Sequence, residues 1–162
     1  MKLLFIRHGI AMDPLEWSKG DESELQRPLT KEGLEKFRQA SLGIKRIVPQ
    51  VDRILSSEYT RAIQTAEILG SCYSNIDLEI TGLLNVEADS NSSIGLLEKF
   101  GQDEVIALVG HEPSVSALIL KLLGSSQYIR FKKGGVCLIE YSNGMIELRW
   151  MLTQKHLRLI SK

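Results

Sequence analysis

Apolar residues in this chain fall into short unbroken runs, separated by longer stretches with helical spacing. Leu3-Leu4-Phe5-Ile6 is one such run and reads as a buried strand. Val105-Ile106-Ala107-Leu108-Val109 is the clearest case, Val51 to Leu55 reads as another strand, and Ile76 to Ile80 as a weaker one. Helices are predicted between them. Thr30 is a plausible N-cap for a helix that carries Leu34, Phe37, Ser41, Ile44 and Ile47 on one face and stops before Pro49. Tyr59 to Leu69 reads as a second helix, a short one runs through Leu97 and Phe100, and a further one spans Ser114 to Leu123 with Pro113 in its first turn. Gly135 to Tyr141 and Met145 to Leu152, joined by Ser142-Asn143-Gly144, read as an antiparallel hairpin. Ala88 to Ser93 reads as loop. Ala11 to Pro28 is polar and long for a compact domain, a length that marks functional or mobile loops. This alternation predicts an α/β fold: a three-layer α/β/α sandwich with a mostly parallel central sheet, helices on both faces and a C-terminal antiparallel hairpin. Residues 1–162 are expected to form one domain.

Composition sets limits without naming a chemistry. At 162 residues, 43% hydrophobic and 25% charged, the chain is long enough for one good core and short for two. Twenty basic and twenty acidic residues cancel. No general attraction to nucleic acid or to an anionic membrane is therefore expected, and any anion site must be local. Cys72 and Cys137 each sit among apolar neighbours and read as free thiols, with a disulfide or metal pair as the alternative. The apolar run before Arg7 is too short for a signal peptide and no stretch is long enough to span a bilayer, so the cytoplasm is the expected location. A monomer is favoured.

The chemistry gathers at strand ends. In open α/β sheets ligands bind at the carboxyl edge of the strands. The first strand delivers Arg7, His8 and Gly9 there, the second gives way to Ser56-Ser57-Glu58-Tyr59-Thr60-Arg61, and Val105–Val109 delivers Gly110-His111. If these strands are neighbours, Arg7, His8, Arg61 and His111 converge. Two guanidinium groups suit phosphoryl oxygens, and a helix start beside them adds backbone donors. Nearby arginines should keep His8 neutral and nucleophilic, while His111 can donate to developing charge. Each residue also has an ordinary reading: Arg7 as a surface ion pair, His8 as a satisfied polar residue, Arg61 paired with Glu58, and Gly110 to Pro113 as a helix-capping turn. His156 lies in the polar tail and receives no role.

These residues carry a resemblance. Leu4-Phe5-Ile6-Arg7-His8-Gly9, Arg27-Pro28-Leu29-Thr30 with Gly33, Ser56 to Ala62 with Gln64-Thr65-Ala66, and Val109-Gly110-His111-Glu112-Pro113 occur in order along nearly the whole chain. Together they resemble the histidine phosphatase superfamily, also called phosphoglycerate-mutase-like, and within it the small SixA-type phosphohistidine phosphatases. The resemblance implies that His8 attacks phosphorus to form a phosphohistidine that water hydrolyses. It implies that Arg7, Arg61 and His111 bind the phosphoryl group, with Arg27 as a secondary phosphate or substrate contact, while Gly9, read from its missing side chain, lets the ligand come close to the backbone. Arg27 could equally pair with the acidic residues Asp21 to Glu24. No metal or organic cofactor is implied.

One departure bears on substrate. Many members acting on alkyl phosphates carry an acid that protonates the leaving oxygen, whereas residues 81–89 here offer only Glu87 and Asp89 as candidates. A weak acid position suits a phosphoramidate such as phosphohistidine in a protein partner. The alternatives are a small-metabolite phosphatase using Glu87 or Asp89, and a phosphate-binding module without turnover. A mutase is disfavoured, because few spare basic residues lie near the motifs.

Overall fold

The computed structural model describes residues 1–74 and 76–162. Six strands form one sheet: β1 (Lys2–Arg7), β2 (Arg53–Ser56), β3 (Asp77–Ile80), β4 (Val105–Gly110), β5 (Val136–Ser142) and β6 (Met145–Leu152). Their order is β3-β2-β4-β1-β5-β6. Pairings among β3, β2, β4 and β1 are parallel, and β5 and β6 add antiparallel to β1. The helices are α1 (Pro14–Trp17), α2 (Lys31–Ile47), α3 (Thr60–Gly70), α4 (Ser90–Leu97), α5 (Ser114–Leu122) and α6 (Gln154–Ile160). The mostly parallel sheet with helices around it and a C-terminal antiparallel pair is the architecture expected from the alternation.

Strand residues alternate between two cores, as the two-residue period of a strand demands. Leu4, Ile6, Ile54, Ala107, Val109 and Leu138 pack against α2, α3 and α6. Leu3, Phe5, Leu55, Ile106, Leu108 and Ile139 pack against α4 and α5 on the other face. Burial on both faces explains why β1 and β4 read as unbroken apolar runs.

The sequence reading and the structure part company in three places. Residues 11–28 are not structureless: they contain α1, capped by Asp13, and a 3-10 turn at Glu24–Gln26. Helix α4 begins at Ser90, inside the stretch read as loop, because the Asp89 carboxylate accepts from the Asn91 and Ser92 amides. The chain also continues past β6 into α6, where Thr153 Oγ1 accepts from the His156 amide and buries Leu157 against α2. Gly43 makes this contact possible, since a Cβ there would stand 2.0 Å from the Leu157 carbonyl oxygen.

The fold brings three strand ends to one edge. Arg7 pairs with Gly110, and Ser56 with Val109, in parallel register. Backbone hydrogen bonds carry that register one residue further, from His8 N–H to Gly110 O and from Ser57 N–H to Val109 O, each at 3.0 Å. The backbones of His8 and Ser57 are therefore fixed by the sheet itself, and His111 follows directly on the end of β4.

Candidate active site

A pocket of about 300 Å³ opens at this edge, lined by Arg7, His8, Arg27, Arg61 and His111 together with Glu24, Tyr59, Glu87 and Lys133. His8 and His111 are almost fully buried, their ring centroids 5.0 Å apart. His8 Nδ1 lies 2.7 Å from the Gly9 carbonyl oxygen, which can only accept, so the proton sits on Nδ1 and the lone pair on Nε2. Arg61 Nε donates to that Nε2 at 3.3 Å. An imidazole held this way presents one nucleophilic nitrogen to the pocket.

His111 sits in a polar chain. Its Nε2 is 2.8 Å from Ser57 Oγ, which also lies 2.9 Å from Asn85 Oδ1. Asn85 is oriented by the Glu58 amide, which donates to Oδ1, and by its own Nδ2, which donates to Glu58 Oε2. Ser57 has one hydroxyl proton for two acceptors. Given to Asn85, it leaves His111 protonated on Nε2; given to Nε2, it leaves the imidazole proton on Nδ1. Tyr59 packs edge-on against His111 at 4.8 Å and beneath the Arg61 guanidinium at 4.6 Å.

Both histidines are held neutral, His8 down to about 2 and His111 to about 3. Burial is the largest cause for each. For His8 the His111 ring comes next, followed by Arg61 and Arg7; for His111 the arginines follow burial directly. The sequence expectation had the direction right, but desolvation outranks the arginines as its cause. The cations have an internal counterweight. Glu24 accepts from Arg27 at 2.8 and 2.7 Å and lies 3.1 Å from Arg61 Nη1, and the Arg27 hydrogen bonds hold its carboxyl low.

Arg7, His8, Arg61 and His111 thus share one pocket. Arg27 lines it too, and it makes the pairing with the acidic stretch through Glu24. Arg61 pairs with Glu24 instead of Glu58, which is taken by Asn85. Gly9 does not line the pocket: its amide donates to Thr65 Oγ1 and its carbonyl orients His8. Glu87 lines the mouth and accepts from the Tyr59 hydroxyl at 3.3 Å. Asp89 is not brought there, because its carboxylate caps α4, and the Ser92 amide hydrogen bond holds its pKa low. The sequence reading missed Glu24, Ser57, Tyr59, Asn85 and Lys133. For Ser57 and Tyr59 the signal was their place at a strand end beside Arg61; nothing local marked Glu24, Asn85 or Lys133. Lys133 also shows that basic residues distant in sequence from the motifs stand beside them in space.

Known proteins give this geometry a lineage. An uncharacterised protein of Picosynechococcus sp. is 27% identical over 140 residues, covering 84% of this chain and 82% of its own. The fold matches the protein histidine phosphatase SixA complexed with tungstate with a TM-score of 0.83, at 23% identity over 97% of this chain and 99% of that one. It matches the alpha-ribazole phosphatase of Shigella flexneri with a TM-score of 0.77, at 19% identity over 95% and 97%. The sequence profile of the histidine phosphatase superfamily (branch 1) matches residues 3–85, just over half the chain, including Arg7, His8 and Arg61. On that match the chain belongs to the histidine phosphatase superfamily.

Proposed function

We propose that this protein is a phosphatase that removes the phosphoryl group from phosphohistidine in a protein partner. The observation that carries the reading is His8 Nε2: buried, unprotonated, touched by Arg61 and in one pocket with Arg7 and Arg27. In the first step the Nε2 lone pair attacks phosphorus, displacing Arg61 Nε from that nitrogen, and the bond from phosphorus to the partner's imidazole nitrogen breaks. The partner's imidazole leaves neutral: its phosphorus-linked nitrogen keeps the electron pair of the broken bond, and its other ring nitrogen keeps the proton it already carried. In the second step water attacks the phosphorus on His8, releasing inorganic phosphate and restoring the neutral imidazole. Arg7, Arg27 and Arg61 hold the non-bridging oxygens by charge-assisted hydrogen bonds. With the Ser57 proton turned to Nε2, His111 can donate from Nδ1 to the same group. No metal or organic cofactor enters these steps.

The substrate assignment rests on the acid position. Glu87 is exposed at the mouth and engaged with Tyr59, a weak arrangement for protonating an alkoxide, whereas a phosphoramidate leaves readily once its nitrogen is protonated. The likeness to the SixA structure supports the same substrate class. A metabolite phosphatase using Glu87 is the second reading, favoured by the carboxylate lining the pocket and by the likeness to alpha-ribazole phosphatase. A panel of a histidine-phosphorylated peptide, a simple phosphoramidate and sugar phosphates tests both. We expect turnover of the nitrogen-linked substrates, an acid-labile and base-stable phosphoenzyme, and loss of both in His8→Ala. Full turnover by His8→Ala would overturn the mechanism. Sugar phosphate turnover that exceeds phosphoramidate turnover and collapses in Glu87→Gln would overturn the substrate assignment.

A further inference from the structure

A second groove, of about 600 Å³, adjoins the catalytic pocket and shares Arg7, Glu112 and Lys133 with it. Its outer wall is the segment between α5 and β5, which carries Tyr128, Arg130, Lys132 and Lys133. That segment is strapped to the end of β1. Arg7 Nη1 donates to the Phe131 carbonyl at 2.7 Å, and the Gly134 amide reaches the Arg7 and His8 carbonyls at 3.0 and 2.9 Å. Gly134 takes a φ of 66°, which closes the turn and projects the two lysines beside Arg7.

The groove is built for negative charge. Arg130, Lys132 and Lys133 are exposed, and among the described residues none of them forms a salt bridge. Among the residues lining the groove the one carboxylate is Glu112, already engaged by the Ser116 hydroxyl, while Asp13 acts on Lys133 from outside it. Two buried donors in the groove also lack partners among the described residues: Arg7 Nε and Gln154 Nε2, the latter on a residue 8% exposed. In a chain whose formal charges cancel, this local excess is not a by-product of composition.

Building on the proposed phosphatase activity, we propose that this groove docks an acidic segment of the partner protein flanking its phosphohistidine. Carboxylates of that segment would meet Arg130 and Lys132 at the rim and Lys133 nearer the catalytic pocket. Tyr128, 84% exposed at the lip, offers the segment an aromatic surface. Complementary charge of this kind raises encounter rates and fixes the register of the partner.

The test compares two histidine-phosphorylated peptides of equal length, one flanked by Glu and Asp and one by Ser and Gln, with a simple phosphoramidate as reference. Binding of each labelled peptide to the His8→Ala chain, read by anisotropy, gives the same comparison without turnover. The acidic peptide should show about tenfold higher kcat/KM and affinity than the neutral one. That preference should fall steeply with ionic strength. The double variant Arg130→Glu, Lys132→Glu should abolish the preference and keep phosphoramidate turnover within about twofold. Equal binding and turnover of the two peptides would overturn the docking proposal, while intact phosphoramidate turnover would leave the proposed activity standing. Absence of phosphoramidate turnover would instead count against the activity, with anisotropy still deciding the groove. A small bisphosphate bound more tightly than either peptide, with that advantage lost in the double variant, would assign the groove to a metabolite and overturn the protein partner.

Discussion

Acidification from pH 7 to pH 5 should destabilise this protein through His8 and His111. Both imidazoles are buried and neutral, with burial the main cause, at about 2 and about 3, against about 6.5 in an unfolded chain. Below pH 6.5 the unfolded chain therefore takes up protons that the folded one refuses. Stability is complete above that point and drains away as pH falls. Integrating the linkage between pH 7 and pH 5 gives about 2 kcal/mol for each histidine and about 4 kcal/mol for the pair. For a chain of this size that corresponds to a fall in Tm of about 8–16 °C. Glu112 works in the opposite sense, since burial raises its carboxyl and the folded state binds that proton first. Glu24, held low by the Arg27 hydrogen bond, loses its contribution only as pH falls through the ordinary carboxylate range, below this window. Urea unfolding at pH 7, 6 and 5 measures the slope directly. His8→Gln or His111→Gln should roughly halve it, and the double variant should nearly flatten it. A native chain that loses less than about 1 kcal/mol over this range, or a double variant that keeps the native slope, would refute the reasoning.

Two further tests separate packing from chemistry. Gly43→Ala drives a Cβ to within 2.0 Å of the Leu157 carbonyl oxygen and should cost at least about 2 kcal/mol in chemical denaturation. Gly95→Ala, inside α4 with open space around it, should instead gain up to about 1 kcal/mol. If both behave alike, the clash is not what sets the cost. Ser57→Ala strips His111 Nε2 of its partner and should lower stability by about 1–3 kcal/mol. It should also lower phosphoramidate kcat/KM about tenfold by freeing the His111 tautomer, and unchanged kinetics would remove Ser57 from the positioning of that ring.

The sheet and the four converging side chains were legible because their causes are local. Two-sided burial writes itself as an apolar run, so β1 and β4 could be located in sequence, and the residue after each run falls at the sheet's carboxyl edge. Helix α2 announced itself through the Thr30 cap and an apolar stripe. Helix α6 did not, since seven residues carry too few turns to show a period, and its one fully buried residue, Leu157, answers to a glycine more than a hundred positions away. The same limit governs the site. His8 and Arg61 stand next to secondary-structure boundaries that the sequence marks, but Glu24 and Lys133 reach the pocket from segments whose course is set by tertiary contacts.

Those illegible residues change what the legible ones can do. Arg27 and Arg61 without Glu24 would be two adjacent guanidinium groups repelling one another in a half-buried pocket. With it, the guanidinium N–H groups of the free protein already hold a carboxylate oxygen, the kind of partner a phosphoryl oxygen would replace. Glu24 is itself half exposed on a short 3-10 turn, so its hold is weak against a phosphoryl group bearing more charge and a bidentate geometry. The arginines are kept ordered for an anion by a group that an anion can displace. The histidines need no such stand-in, because desolvation first, and the neighbouring cations after it, keep them neutral. Nucleophile and anion receptor are thus prepared chiefly by two different physical effects, burial and ion pairing, and the second is the more sensitive to ionic strength.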